Sequence, residues 1–367
     1  MSNVKMTKKR EPLFHIVKRT AIPWWKAWIV RAIAILLAVV TCSVVTILLT
    51  KQNPILVWEA MFKGAFGTDR IVWRLFRDVS LLLCVALAVT PAFKMRFWNC
   101  GAEGQVLMGC LATFAVIRFF GETLSEPLLL LISLAAAILV GAIWGFIPAV
   151  FYAFFKTNET LFTLMMNYVA KGLITLSIIY FQWENNFGSG KVSPVLVGRL
   201  PRVYNEHLLI IVAVVLLTVF MYIYLNYTKQ GYEISVVGES ENTANYIGIN
   251  VKSVVIRTML ISGAIAGFAG FLLVSGKDGA VSPDTADGRG FTAIMVSWLA
   301  KFNPVYMIIT SLLLVFFQFG SKEITRSFRL NDDFSEILTG IVIFFIIGSE
   351  FFINYQLKMR KLGKGDK

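Results

Sequence analysis

Few residues in this chain can do chemistry, and those few are set among apolar runs. Glu103 is the sharpest of them, within Asn99-Cys100-Gly101-Ala102-Glu103-Gly104-Gln105 between two hydrophobic stretches. An ionisable side chain beside a glycine break in such a place is costly unless it meets a cavity or a partner. It can contact a polar ligand, or it can cap the short helix beyond it together with Gln105 and satisfy freed N–H groups. Asn167 divides similarly between ligand contact and a bond to another helix. Lys171, four residues on, shares the Asn167 face; both should point inward, and the lysine calls for an acid from another span. Asn158 and Glu159 suit capping at the start of the same run.

No catalytic or metal-binding set can be assembled. His15 and His207 are the two histidines, and neither has a partner for a metal cluster. Cys42, Cys84, Cys100 and Cys110 form no C-x-x-C pair and read as small apolar fillers. H-E-x-x-H and G-x-S-x-G do not occur, and Asp332-Asp333 reads as a helix start or a solvated pair. An intramembrane enzyme is therefore the weakest class. No G-x-x-x-x-G-K-[ST] stretch is present to hold nucleotide.

The elements that position these residues must be membrane helices. Hydrophobic residues make up 57% of the 367 and charged ones 16%, with a mean hydropathy of +0.69, which is far from a water-soluble balance. Ten apolar segments follow: 28–49, 75–93, 105–120, 128–155, 161–181, 208–227, 255–274, 291–300, 305–319 and 337–352. The segments at 105, 291 and 305 are short, and that at 291 is short enough to be re-entrant. The fold class expected is an all-α polytopic membrane protein of about ten segments with a candidate internal repeat. The N-terminal apolar run exceeds a signal h-region and should remain as an anchor.

The 35 Lys and Arg against 22 Asp and Glu give a net charge of +13, but their placement argues for a membrane surface and against nucleic acid. Lys5, Lys8, Lys9, Arg10, Lys18, Arg19, Lys26 and Arg31 crowd one end, and Lys358, Arg360, Lys361, Lys364 and Lys367 the other. Tails 1–27 and 358–367 thus read as cytoplasmic and in contact with anionic lipid headgroups, flanking a membrane domain over 28–357. Both ends inside requires an even number of crossings.

Two stretches echo one another: residues 99–105 and Asp287-Gly288-Arg289-Gly290-Phe291-Thr292 each follow a long apolar run and precede a short one. Loose backbone at membrane depth needs protein or a water-filled cavity around it. The long polar loop over about 228–254 has its own logic. Ser240 can cap a short helix over 241–247, Gly248 can end it, and Ala244 with Ile247 gives a small apolar knob that a groove on a soluble partner could seat.

Resemblance adds specificity. Residues 99–105 with Val106-Leu107-Met108-Gly109 are similar to the N-x-G-A-E-G-Q element of nucleoside-type permeases in the simple-sugar branch of bacterial ABC importers. Trp144 to Pro148, Asn158-Glu159 and Leu164 to Tyr168 resemble the family's fourth and fifth helices and the turn between them. Gly231 to Gly238 with Ala244-Asn245-Tyr246-Ile247-Gly248-Ile249-Asn250-Val251 resembles its coupling loop, and Gly288 to Ile294 its later glycine-rich segment. Cys100, Glu241, Thr243 and Lys171 depart from the pattern.

The resemblance implies a permease subunit of a cell-membrane importer, with pathway candidates Asn99, Glu103, Gln105 and Asn167. The ATPase-coupling candidates are Gly231, Gly238, Ser240, Ala244, Tyr246, Ile247, Gly248 and Ile249, and the glycine-rich segment is Gly288, Arg289 and Gly290. It implies an ATPase subunit, a second permease chain and an extracytoplasmic solute-binding protein as partners, with ATP and Mg used by the ATPase and no cofactor held by this chain. Nucleosides are the leading solutes, with simple sugars such as ribose or galactose as the alternative. An ion-coupled secondary transporter is more distant, because it would need intramembrane acids beyond Glu103.

Overall fold

The computed structural model describes residues 14–19, 23–51, 53–183 and 192–359. In chain order its elements are β1 (Phe14–Lys18), α1 (Trp24–Thr50), α2 (Pro54–Phe66), α3 (Asp69–Lys94), α4 (Ala102–Phe120), α5 (Glu126–Phe155), α6 (Glu159–Tyr180), α7 (Leu208–Tyr227), α8 (Lys229–Glu239), α9 (Glu241–Tyr246) and α10 (Val251–Phe271). A π-helical stretch (Leu272–Asp278), α11 (Arg289–Leu299), α12 (Pro304–Ser327), α13 (Asp332–Asn354) and β2 (Tyr355–Met359) complete it. Among the described residues nine helices are long and apolar enough to cross a membrane.

Each of the ten apolar segments has become a helix. The runs starting at 105 and 305 are full length after all: α4 has 19 residues and α12 has 24, because each helix continues through polar or small residues that hide it from a hydropathy count. The run at 291 stays short, at 11 residues. Helices α2 and α8 were not anticipated, since Glu59 and Lys63 break the first run and the second is mostly polar.

The chain divides into two compact units, residues 1–64 with 317–367, and residues 65–316. In the first, α1 packs on α13, where Arg31 Nε donates to Glu350 Oε1 at 3.0 Å. Trp58 of α2 donates to Ser43 of α1 at 3.0 Å. An antiparallel strand pair runs from Phe14 opposite Met359 to Lys18 opposite Tyr355, so the described parts of both tails lie at one end of the α1–α13 pair. Beside this short pair every described element is helical, as the all-α polytopic expectation has it, and α1 begins at Trp24, inside the stretch assigned to the tail. The basic residues Lys5, Lys8, Lys9, Arg10, Arg360, Lys361, Lys364 and Lys367 lie outside the described residues.

In the second unit α3 and α10 are central, and α5, α6 and α7 peripheral. Helices meet there through glycine. A Cβ on Gly141 of α5 would come within 2.7 Å of Gly267 Cα, and one on Gly109 of α4 within 2.6 Å of Gly267 O. Gly141, Gly145, Gly263 and Gly267 form two small-xxx-small pairs, which let helix backbones touch where no hydrophobic effect separates protein from lipid tails. The outer faces of α5 and α7 are apolar and exposed, as with Leu131, Leu139, Leu216 and Phe220, which suits contact with lipid chains.

Candidate functional site

Residues 95–101 turn the chain from α3 into α4, and polar side chains hold that turn. Asn99 and Gln105 bond each other both ways, Nδ2 to Oε1 and Nε2 to Oδ1 at 3.3 Å each. Asn99 Nδ2 also donates to Ser262 Oγ of α10 at 3.1 Å, and its Oδ1 accepts from Gly101 N at 3.1 Å. Asn167 of α6 grips the same turn: its Oδ1 accepts from Gly104 N and its Nδ2 donates to Cys100 O, both at 2.8 Å. A Cβ on Gly104 would crowd Asn167 Oδ1 at 2.9 Å, so glycine permits the approach.

Glu103 caps another element's helix, not its own. Its Oε1 accepts from Gly288 N at 2.9 Å and its Oε2 from Gly290 N at 2.7 Å. These are orphan donors at the start of α11, whose cap residue Gly288 is left-handed (φ +67°) and has no side chain to offer. A carboxylate at a helix N-terminus also meets the positive end of the helix dipole. Gly290 must be glycine for the same contact, since its Cβ would lie 2.7 Å from Glu103 Cα. The two echoing stretches of the sequence are therefore bonded to each other. Arg289 between them turns away from Glu103, with Nη1 donating to Ala286 O at 3.2 Å and its guanidinium 3.9 Å from Asp78 and 3.7 Å from Asp287.

All four pathway candidates come together at this knot. Asn99, Glu103, Gln105 and Asn167 are 0–4% exposed, and each is bonded within the chain. Lys171 does find an acid, but from a loop and not a span: Nζ lies 3.2 Å from Asp284 Oδ1, and neither side chain is buried. Its expected inward orientation alongside Asn167 is thus corrected. Asn158 caps α6 as expected, its Oδ1 accepting from Leu161 N at 3.0 Å.

A residue that the sequence reading passed over completes the knot. Thr163 Oγ1 accepts from Cys100 N at 3.1 Å. Apart from the knot, Arg199, from the segment before α7, ties down the π-helical stretch by donating to Val274 O at 3.1 Å and Lys277 O at 3.0 Å. A threonine or arginine far away in sequence gives no local signal of such a role.

The second cluster is the 228–250 segment. Thr228 caps α8 by accepting from Gly231 N at 3.1 Å, and Gly231 sits against the backbone of Leu225, where a Cβ would come within 2.6 Å of its carbonyl oxygen. Gly238 likewise lies against Lys94 and Met95. Ser240 accepts from Thr243 N at 3.2 Å, and Gly248 ends α9 with φ +85°, both as expected. Ile249 N then returns to Ala244 O at 2.9 Å.

The expected Ala244–Ile247 knob needs correction. Ala244 is fully buried, whereas Tyr246 is 93% and Ile247 51% exposed, so the outward apolar pair is Tyr246 with Ile247. Glu241 anchors α9 to α5, accepting from Tyr152 Oη and Lys156 Nζ at 2.8 Å each. The hydrogen bond from Lys156 holds the Glu241 carboxyl below the usual carboxylate range.

A body of many apolar helices, with a short helix that leaves Tyr246 and Ile247 uncovered, fits a membrane transport subunit. Residues 71–347 match the family described as branched-chain amino acid transport system / permease component, and the chain belongs to that family of permease components. It is 31% identical over 315 residues to the guanosine ABC transporter permease protein of Bacillus subtilis, covering 83% of this chain and 89% of that protein. It is 29% identical to the glucose ABC transporter permease protein of Haloferax volcanii, with 92% of each chain covered. The nucleoside ABC transporter permease protein of Lactococcus lactis subsp. cremoris is 26% identical, over 86% of this chain and 89% of that protein. No solved structure matches the chain significantly.

Proposed function

We propose that this chain is the membrane-spanning permease subunit of an ATP-driven, binding-protein-dependent importer for nucleosides in a bacterial cytoplasmic membrane. The observation that carries the architecture is α9, a short helix anchored on its buried side by Ala244 and Glu241 and presenting Tyr246 and Ile247 uncovered. Exposed apolar side chains on a rigid helix are suited to a groove on a soluble protein. That protein is a separate ATPase subunit, which uses ATP and Mg; this chain holds no cofactor and performs no covalent chemistry.

A second permease chain, related or identical, completes the pathway, and an extracytoplasmic binding protein delivers the solute. Nucleotide-dependent contacts at α9 then bias the permease pair between inward and outward access. The basic tails 1–27 and 358–367 lie at the cytoplasmic surface against anionic lipid, a reading supported by the strand pair that brings residues 14–18 and 355–359 to one end of α1 and α13. The nine long helices among the described residues, with the stretch 279–288 and α11 together taken as a tenth pass, support both tails on one side.

Nucleosides lead because the guanosine and nucleoside permeases are similar over most of the chain. The glucose permease, similar over 92% of the chain, keeps simple sugars as the second reading. Uptake of labelled purine and pyrimidine nucleosides by cells with and without this chain, its companion subunits present and free ribose and galactose as competitors, decides between them. Loss of nucleoside uptake that free sugars do not compete supports the first reading. Unchanged nucleoside uptake with lost sugar uptake overturns it.

A further inference from the structure

Helix positions give the depth of the groups around α11. Lys171 is twelve residues beyond Glu159 in a helix of 22 residues, so it lies about 18 Å from one end and about 13 Å from the other at 1.5 Å per residue. With α6 crossing the bilayer along its length, Lys171 falls near the middle of the membrane. Its partner Asp284 belongs to the non-helical stretch 279–288, which returns from the end of the π-helical segment to the Glu103 knot, where α11 begins.

That stretch is an unusual object at this depth. The Asp284 side chain is 85% exposed, Asp287 64% and Lys171 40%. Gly288, whose N–H is given to Glu103, is exposed as well. Hydrocarbon cannot accept a face that combines irregular backbone with charges, so such backbone occurs only where protein buries it or water reaches it. The knot residues meet the first condition. Asp284, Asp287 and Lys171 do not.

We infer that Lys171, Asp284 and Asp287 line the water-filled part of the translocation pathway, and that the buried Glu103 and Asn167 stand behind it. This rests on the importer reading above and deepens it. The Lys171–Asp284 pair offers both a donor and acceptors with no net charge, which suits a neutral solute rich in hydroxyl groups. Tyr168, three residues before Lys171 on the same helix and 65% exposed, adds an aromatic surface beside the pair.

The test uses the complete transporter in right-side-out and, separately, inside-out vesicles, with Asp284→Cys and, separately, Asp287→Cys, treated with a charged, membrane-impermeant thiol reagent. Leu216→Cys, from the exposed apolar face of α7, is the lipid-facing control, and peptide mapping reads each position apart from native Cys42 and Cys100. Both aspartate positions should react about ten-fold faster than the control or more, because only they are reached by water. The rate should fall when a transported solute is present in excess.

Reaction of both positions no faster than Leu216→Cys, or with a lipid-soluble maleimide alone, overturns the lining, whether lipid or the second permease chain covers that face. Fast reaction that no transported solute slows removes these residues from the solute's route. Protection by ribose or galactose and not by nucleosides leaves the lining standing and overturns the nucleoside reading, so the two failures are told apart.

Discussion

The knot at the start of α4 and the helix pair α8–α9 are both polar regions of one unit, yet they handle their surfaces in opposite ways. In the knot Asn99, Glu103, Gln105 and Asn167 are 0–4% exposed and bonded to neighbouring elements. In α9 the polar and small residues make the anchor, and the large apolar ones, Tyr246 at 93% and Ile247 at 51%, stay outside. Unpaired polar groups are expensive in a low dielectric, so a buried network must be complete and, once complete, fixes the elements that it joins. Exposed apolar side chains on a fixed helix have the reverse meaning, because contact with a partner removes their cost. The first region should therefore answer to mutation through stability, the second through assembly.

The largest effect should come from Glu103→Ala. Two backbone N–H groups at the start of α11 lose a charged acceptor, and hydrogen bonds to charged groups contribute about 1.5–3 kcal/mol each. Melting of the purified chain in detergent should drop markedly and uptake should be lost. Glu103→Gln, which keeps one acceptor oxygen, should fall between. Wild-type melting and uptake in the alanine variant would erase the distinction between the regions.

Asn167→Ala should follow, since it removes both grips on the turn at Cys100 and Gly104. Neutral hydrogen bonds contribute about 1 kcal/mol each, and the orphaned Gly104 N–H adds a desolvation cost. The expected loss is about 2–3 kcal/mol of stability, read by the same melts, with uptake reduced but measurable. A larger loss than for Glu103→Ala would reverse the order and make α6, not α11, the element that the knot holds.

Much of this contrast was legible in the sequence, for identifiable reasons. Long apolar runs report membrane helices directly, and α7 begins and ends where the run does. Ser240 and Gly248 announced α9 because caps are local: the bond from Thr243 N and the left-handed glycine each need only a few neighbouring residues. Partners across helices are not local. Glu103 advertised that something must pair with it, but not that the partners were the N–H groups of Gly288 and Gly290.

Likewise, the sequence of α9 does not say which of Ala244 and Ile247 turns inward, since both suit either side of a short helix. The glycines at 141, 145, 263 and 267 carried a visible four-residue spacing, and reading it as a helix contact would have found the α5–α10 interface.

Within α9 the anchor itself should respond weakly, and to pH. The Lys156 hydrogen bond lowers the Glu241 pKa in the folded chain. A depressed carboxylate stabilises above its unfolded pKa, about 4.3 for glutamate, and that contribution fades as pH falls through the lower folded value. Backbone exchange protection over 241–247, corrected for intrinsic rates, should therefore be flat from neutral pH to about 4.3 and decline below it. Glu241→Gln should show the reduced protection already at neutral pH. Because the pair is largely exposed, the size is about 0.2–1 kcal/mol, and protection that declines between pH 7 and 5 would point to another group.

The smallest effect on the chain alone, and the clearest separation of the two regions, should come from replacing Tyr246 and Ile247 together by alanine. Neither side chain is buried, so melting should stay within about 0.5 kcal/mol of wild type, as for surface substitutions generally. Assembly should change. Aromatic and aliphatic anchors that seat in a partner's groove commonly cost about 2 kcal/mol or more when truncated, so co-purification of the ATPase subunit and solute-stimulated ATP hydrolysis should fall together while the knot remains intact. Undiminished ATPase association would remove α9 as the docking element. A melting loss comparable to that of Asn167→Ala would mean that the exposed pair supports the fold, and the opposition between the two regions would then fail from the α9 side.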